Sequence, residues 1–336
     1  FANCIILIKI VIGENVTVIK DFAFKGCVLL VTIINKSTIT IVSGSDDNGG
    51  VGKYATEIKS DESEPIENFT FKQEKGVWYL TGYNGKNEDL VLPSSYNGEP
   101  YGIYTYAFRN NKTLKSVEIP DGVASIGSYA FSGCIGLTSV VIGNNVTSIG
   151  DSAFSGCSGL TDVAIGKSVT FIADDVFFGC YKLANVIWNA ENCTEAGSYG
   201  NYIFQRCSEL TNVIIGDNVK TIPSYIFRNC NRIEKVTIGR SVSHIEGAAF
   251  KDCSGLISVV WNAENCTIAG YSSESSYFNS SNTIFCGCSK LTNVTIGNNV
   301  KTIPRYAFFN CSELADITIP DSVTSIGEGA FSGCNS

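Results

Sequence analysis

Apolar positions recur along this chain with a 23-residue period, and each recurrence brings the same companions at the same offsets. Phenylalanine marks the period best, at Phe108, Phe131, Phe154, Phe177, Phe204, Phe227, Phe250, Phe285, Phe308 and Phe331. A cysteine follows three residues after nearly every one, from Cys134 to Cys334, and a leucine or isoleucine six after, from Leu114 to Leu314. Upstream, pairs such as Val140 with Ile142, Val163 with Ile165 and Val213 with Ile215 alternate with other residues, the period of two expected of a pleated strand. Gly143, Gly166 and Gly216, or Pro120 and Pro320 in the same column, then punctuate the strand. A second apolar pair follows, Val146 and Ile149 in one unit. The Ala-Phe and Cys positions come next, in a piece long enough for one turn of helix. Each unit therefore reads strand, tight turn, short extended segment, helical turn, loop. One such unit cannot close a core, whereas a stack of them shares a continuous apolar spine.

The columns also carry a family resemblance. LTSVVIGNNVTSIGDSAFSGC (137–157) and LADITIPDSVTSIGEGAFSGC (314–334) resemble the BspA-type, or Treponema pallidum-type, leucine-rich repeat. The likeness covers most of the chain. It implies an α/β-class, right-handed leucine-rich-repeat solenoid, β-rich with short helical turns and without catalytic residues. It further implies a bacterial protein, secreted or held at the cell surface, acting as an adhesin or interaction module toward a protein or glycan, a host surface included.

Regular repeats occupy 1–34 and 108–336, and the period breaks over 35–107. Phe24, Ile10, Ile12, Val16 and Ile19 fit the columns, so the sequence is expected to begin inside a repeat and, at 331–336, to stop inside another. Within the irregular stretch Leu90, Leu92 and Pro93 echo Val117, Ile119 and Pro120, and Tyr54 and Ala55 echo Tyr106 and Ala107. These echoes favour a single solenoid over 1–336, with irregular rungs and a hairpin over Phe69 to Tyr83. A hinge between two arrays is the alternative. The apolar run near Ile5 is short, is interrupted by Lys9 and keeps the repeat register, so no membrane insertion is expected.

Composition narrows the function. The net charge is −8, and no basic stripe exists to replace phosphate counterions, which argues against nucleic acid. Of fourteen cysteines, eleven stand in one column, where Asn111 once takes the place. A position shared with Asn points inward and satisfies loop backbone, so free thiols are expected rather than disulfides or a metal centre. Cys286 and Cys288 form a Cys-Gly-Cys, but one histidine in the chain and no second paired-cysteine motif leave little for a metal. That histidine, His244, stands in a column otherwise of Ser, Thr and Phe, so neither a Ser-His-Asp nor a Cys-His arrangement has a base of its own. Asp121, Asp217 and Asp321 fall at turns, where they are expected to bond their own backbone. No cofactor motif is present.

Two units depart from the period in the same way. Each contains Trp-Asn-Ala-Glu-Asn-Cys-Thr, at 188–194 and 261–267, with Trp in place of the inward Ile, followed by extra residues. The resulting insertions, 189–202 and 262–283, end in segments rich in Tyr, Ser, Gly and Asn, the palette of binding loops. Tyr199, Tyr202, Tyr271, Tyr277 and Phe278 are the candidate contact residues. A rival surface is the outward stripe Glu118, Val141, Ala164, Ile187, Ile214, Thr237, Val260, Thr295 and Thr318. The reading that results is a non-catalytic, monomeric binding rod. A structural spacer for another domain is one alternative, and an enzyme using Glu57, Asp61 and Glu62 of the irregular region is the other.

Overall fold

The computed structural model describes residues 9–12, 16–20, 23–24, 32–35, 41, 57–60, 64–197, 203–270 and 283–336. The chain divides into two compact units, Phe1–Ser63 and Glu64–Ser336.

In the first unit three parallel strands, Lys9–Ile12, Thr32–Asn35 and Glu57–Ser60, lie side by side. Lys9 pairs with Thr32, one full period along, and Thr32 with Glu57, slightly more than a period along, so the repeat survives into the first part of the irregular stretch. Ile12, Phe24 and Ile33 form the core, with Ile10, Val16 and Ile19 against it. The Tyr54 and Ala55 echo and the side chains of Asp61 and Glu62 lie outside the described residues.

The second unit is a β-solenoid with two parallel sheets and a column of turns. The first sheet has nine strands in unbroken order, from Asp89–Val91 through Ser116–Ile119, Ser139–Ile142, Asp162–Ile165, Asn185–Trp188, Asn212–Ile215, Lys235–Ile238 and Ser258–Trp261 to Asn293–Ile296. Leu90 pairs with Val117, as their sequence echo implies. The second sheet begins with an antiparallel hairpin, Phe69–Glu74 and Val77–Tyr83, whose second strand pairs in parallel with Tyr101–Ile103. Phe71 stacks on Tyr96 at 3.8 Å, and Trp78 meets the same ring edge-on at 4.8 Å. A hairpin at this place ends the sheet with an antiparallel edge strand bearing Lys72 and Glu74, which blunts the edge toward further pairing.

The turn column replaces the helical turns expected from sequence, so the α/β class gives way to a β-solenoid. The only helix among the described residues is a 3-10 turn at Ile66–Asn68. From Tyr129 to Cys134 the N–H groups alternate in destination. Those of Ala130, Ser132 and Cys134 close local turns onto Gly127, Tyr129 and Phe131, while those of Tyr129, Phe131 and Gly133 donate to Asp151, Ala153 and Ser155 of the next rung. Every second donor is thus taken by a neighbour, and no helix can propagate. The alternation goes with left-handed backbone two residues before and two after most of the Phe positions. Tyr129 has φ 57° and Ser152 φ 52°, a conformation that costs a non-glycine residue about 1–2 kcal/mol. Gly133 and Gly156 take the second position without that penalty.

Inside, the phenylalanines stack from Phe108 to Phe331, with centroids 4.8 Å apart at Phe108–Phe131 and 5.7 Å at Phe285–Phe308. The cysteine column runs beside them. Cys157 Sγ donates to the Phe131 carbonyl at 3.2 Å and Cys253 Sγ to that of Phe227 at 3.1 Å, and the same bond recurs at most rungs. Each such carbonyl also accepts the cysteine N–H of its own rung, so the thiol fills its second lone pair. At the first of these turns Asn111 serves instead by accepting from Thr113 and Leu114. All twelve described cysteines are free thiols.

The turn carboxylates correct one expectation. Asp121 Oδ1 accepts the N–H of Asn144 at 2.6 Å, and Asp217 Oδ1 that of Arg240 at 3.2 Å. They bond the backbone of the following rung and not their own.

Candidate functional site

The two tryptophan rungs are each widened. On the first sheet Asp162 pairs with Asn185, a full period along, but on the second sheet Ile172 pairs with Ala196, one position beyond a period. The extra residue enters the tight turn, where Ala190 is fully buried. Trp188 and Trp261 are fully buried and reach the next rung, meeting Phe227 and Phe308 edge-on at 6.4 Å and 5.6 Å. They fill the added core volume, as their replacement of Ile implies. Both indole Nε1 atoms are buried with no hydrogen-bond partner.

Immediately after each widened rung the second sheet stops. It is seven-stranded up to Glu195–Ala196, resumes as three strands, Thr221–Ile222, His244–Ile245 and Ile268–Ala269, and ends as the pair Thr302–Ile303 and Ser325–Ile326. The first sheet passes both places in register. So does the turn column, where Phe177 N–H donates to Ile203 O at 2.9 Å and Phe250 N–H to Ile284 O at 3.0 Å. Between the second sheet and the turns the chain is described as far as Gly197 and Gly270, and again from buried Ile203 and from buried Thr283 and Ile284. Tyr199, Tyr202, Tyr271, Tyr277 and Phe278 themselves lie outside the described residues.

The rung before each insertion carries a carboxyl with a raised pKa. Loss of hydration pushes Asp175 up, reinforced by Asp174 and Asp151. Half-buried Glu246 is pushed up by the same loss of hydration, which His244 partly offsets. Sequence reasoning passed over both, since neither belongs to a motif.

The rival stripe is in place from Glu118 to Thr295 except that Ile187 is buried, and Thr318 lies outside any strand. Strand register aligns Glu118, Val141, Ala164, Ile187, Ile214, Thr237, Val260 and Thr295 across the outer face of the first sheet. Beside it runs a polar row in which Asn185 Nδ2 donates to Asp162 Oδ1 at 2.7 Å and Ser116 Oγ to Asp89 Oδ1 at 2.5 Å. A cleft of about 700 Å³ between Asn293–Ile296 and the segment at Asp316–Pro320 holds one carboxylate, Asp316, and so no acid/base pair. His244 is half-buried, its Nδ1 2.9 Å from Ser243 Oγ. Glu57 lies on the third strand of the first unit. Among the described residues no group of His, Cys, Asp or Glu is arranged to hold a metal ion, and no helix is long and apolar enough to cross a membrane.

Comparison with known proteins follows the same columns. The family model described as BspA type leucine rich repeat region matches residues 1–46, 101–200, 198–280 and 279–336, in six copies. The chain belongs to the BspA-type leucine-rich repeat family. Among solved structures similar to this BspA-type chain, the Treponema pallidum leucine rich repeat protein is 27% identical, over 58% of this chain and 91% of that one, with a TM-score of 0.49. A leucine rich cell surface protein of Faecalibacterium prausnitzii is 24% identical, over 82% and 87%, with a TM-score of 0.41. The pneumococcal vaccine antigen PcpA is 16% identical, over 79% and 77%, with a TM-score of 0.40. No curated protein matches.

Proposed function

We propose that this BspA-type chain is a non-catalytic binding scaffold, secreted or displayed at a bacterial surface, that engages a protein or glycan through its two insertions. One observation carries this reading. At both insertions the first sheet and the turn column keep register while only the second sheet yields, so the extra residues vary without disturbing the spine. Loops of Tyr, Ser, Gly and Asn held on such a support combine stiff aromatic contact with adaptable hydrogen bonding. Three rungs separate the tryptophan strands, which spaces the two exits by roughly 14 Å on one side of the stack. The scaffold works as a monomer and needs no cofactor.

The test is binding of the labelled chain to cultured epithelial cells, read by flow cytometry. Serine at Tyr199, Tyr202, Tyr271, Tyr277 and Phe278 together is expected to lower apparent affinity by about tenfold or more, with an unchanged Tm. Equal binding by that variant and the parent refutes the assignment to the insertions and leaves the spacer reading.

A further inference from the structure

The outer face of the second sheet carries a surface that the repeat columns alone do not reveal. Pairing places Tyr79 beside Gly102, Gly102 beside Ser125, Ser125 beside Ser148 and Ser148 beside Phe171, all pointing away from the core. The row continues to Lys72 on one side and to Glu195 on the other; within it two rings, Tyr79 and Phe171, flank the small residues Gly102, Ser125 and Ser148. Tyr79 leans across Gly102, where a side chain would meet its ring at 2.9 Å, and Tyr104 meets Tyr79 edge-on at 5.6 Å. Tyr104 is fixed in turn by Lys72 Nζ, 3.2 Å from its ring centre, and by its hydroxyl donating to Glu74. At the far end Phe171 is 42% exposed, unusual for a phenylalanine in a fold that buries most of its others. Gly127 and Gly150 extend the floor by a second column, and a side chain at either would strike backbone within 3 Å.

We propose that this trough, from Tyr79 to Phe171, binds a neutral oligosaccharide. The rows are four strand spacings apart at its ends, roughly 19 Å, room for a short chain of sugars rather than one. The terminal rings supply apolar faces for sugar C–H groups, and the Ser125 and Ser148 hydroxyls supply hydrogen bonds, neither being bonded to another described residue. The floor is uncharged, and Lys72 is already paired with Glu74 at 2.7 Å, so a polyanion finds no free cation within the trough. An extended peptide finds no strand edge, because the backbone groups here are spent on the parallel ladder, and no pocket for alternate side chains. The inference rests on the binding reading above but uses a different face from the insertions.

The experiment is titration of the whole chain with neutral gluco-, xylo- and galacto-oligosaccharides of three to six units, followed by saturation-transfer NMR and calorimetry, with heparin and an acidic peptide as comparison probes. Binding of a neutral oligosaccharide is expected. Tyr79→Ala and Ser148→Trp should each weaken it by about tenfold or more, while Tyr225→Ala, off the trough, should not. Ser148→Trp adds bulk to a half-buried position on the outer face and away from the hairpin, so it keeps the test valid if Tyr79→Ala disturbs the hairpin. Absence of binding across the neutral panel, a preference for heparin or the acidic peptide, or binding unaffected by both trough variants overturns the proposal. If binding survives the trough variants but is lost on replacing the insertions, the trough fails and the insertion reading stands.

Discussion

The two sheets of the second unit are built from the same repeats and meet the same insertions, yet one runs through nine strands and the other is cut into seven, three and two. Strand length explains the difference. First-sheet strands are four residues in most rungs, with alternate side chains buried to 6% exposure or less, so a slip of one residue would turn Val and Ile outward. Second-sheet strands are mostly two residues, and a local loss of pairing sacrifices one or two hydrogen bonds. The spine is therefore specified on one face and in the turns, and the other face is where the fold admits novelty.

Changes to the first sheet should have the largest effect. Inserting one residue between Val186 and Ile187 is expected to abolish the cooperative thermal transition seen by circular dichroism, whereas returning both insertions to the regular repeat spacing is expected to keep it. If the two variants melt alike, the contrast between the faces is wrong. Next comes Phe154→Ala, which removes a fully buried ring stacked at 5.1 Å and 5.4 Å on its neighbours. A loss of about 3–5 kcal/mol in urea unfolding is expected.

The thiol column yields a pH dependence. Burial pushes Cys207 and Cys266 from an ordinary 9.0 up to about 12. Between those values the unfolded chain releases protons that the folded chain retains, so stability is intact below pH 9 and falls as pH rises toward 12. Urea midpoints measured across that range should decline, and the decline should shrink in Cys207→Ala. Smaller still, Cys180→Ala forfeits one thiol–carbonyl bond of 3.3 Å and a little packing, about 1 kcal/mol. Smallest is Trp188→Phe, expected within about 1 kcal/mol of the parent because the lost ring area is offset by removing an unpaired buried N–H.

Period and alternation made most of this fold readable from the residues alone. The Phe and Cys columns, the first-sheet strands, the Leu90 echo and the Phe69–Tyr83 hairpin all follow from where apolar residues fall. The turns did not follow, because their hydrogen bonds alternate between rungs, and a donor whose acceptor lies in the next repeat leaves no mark in local propensity. Nor did the partners of Asp121 and Asp217, for the same reason. The trough is legible only after register is known: Tyr79 belongs to an irregular stretch, and nothing in sequence sets it beside Gly102. The insertions stood out in sequence by breaking a strict rule, and the structure adds that the first sheet and the turn column keep register across both places.

The internal thiols have a consequence for how the molecule fares in an oxidising medium. Folded, the described cysteines of the column are nearly all buried, so an oxidant reaches almost none of them. Unfolded, the buried thiols of the column would meet the same surroundings. A copy that stayed open in such a medium would cross-link, which makes durability of this scaffold a matter of how seldom and how briefly it opens.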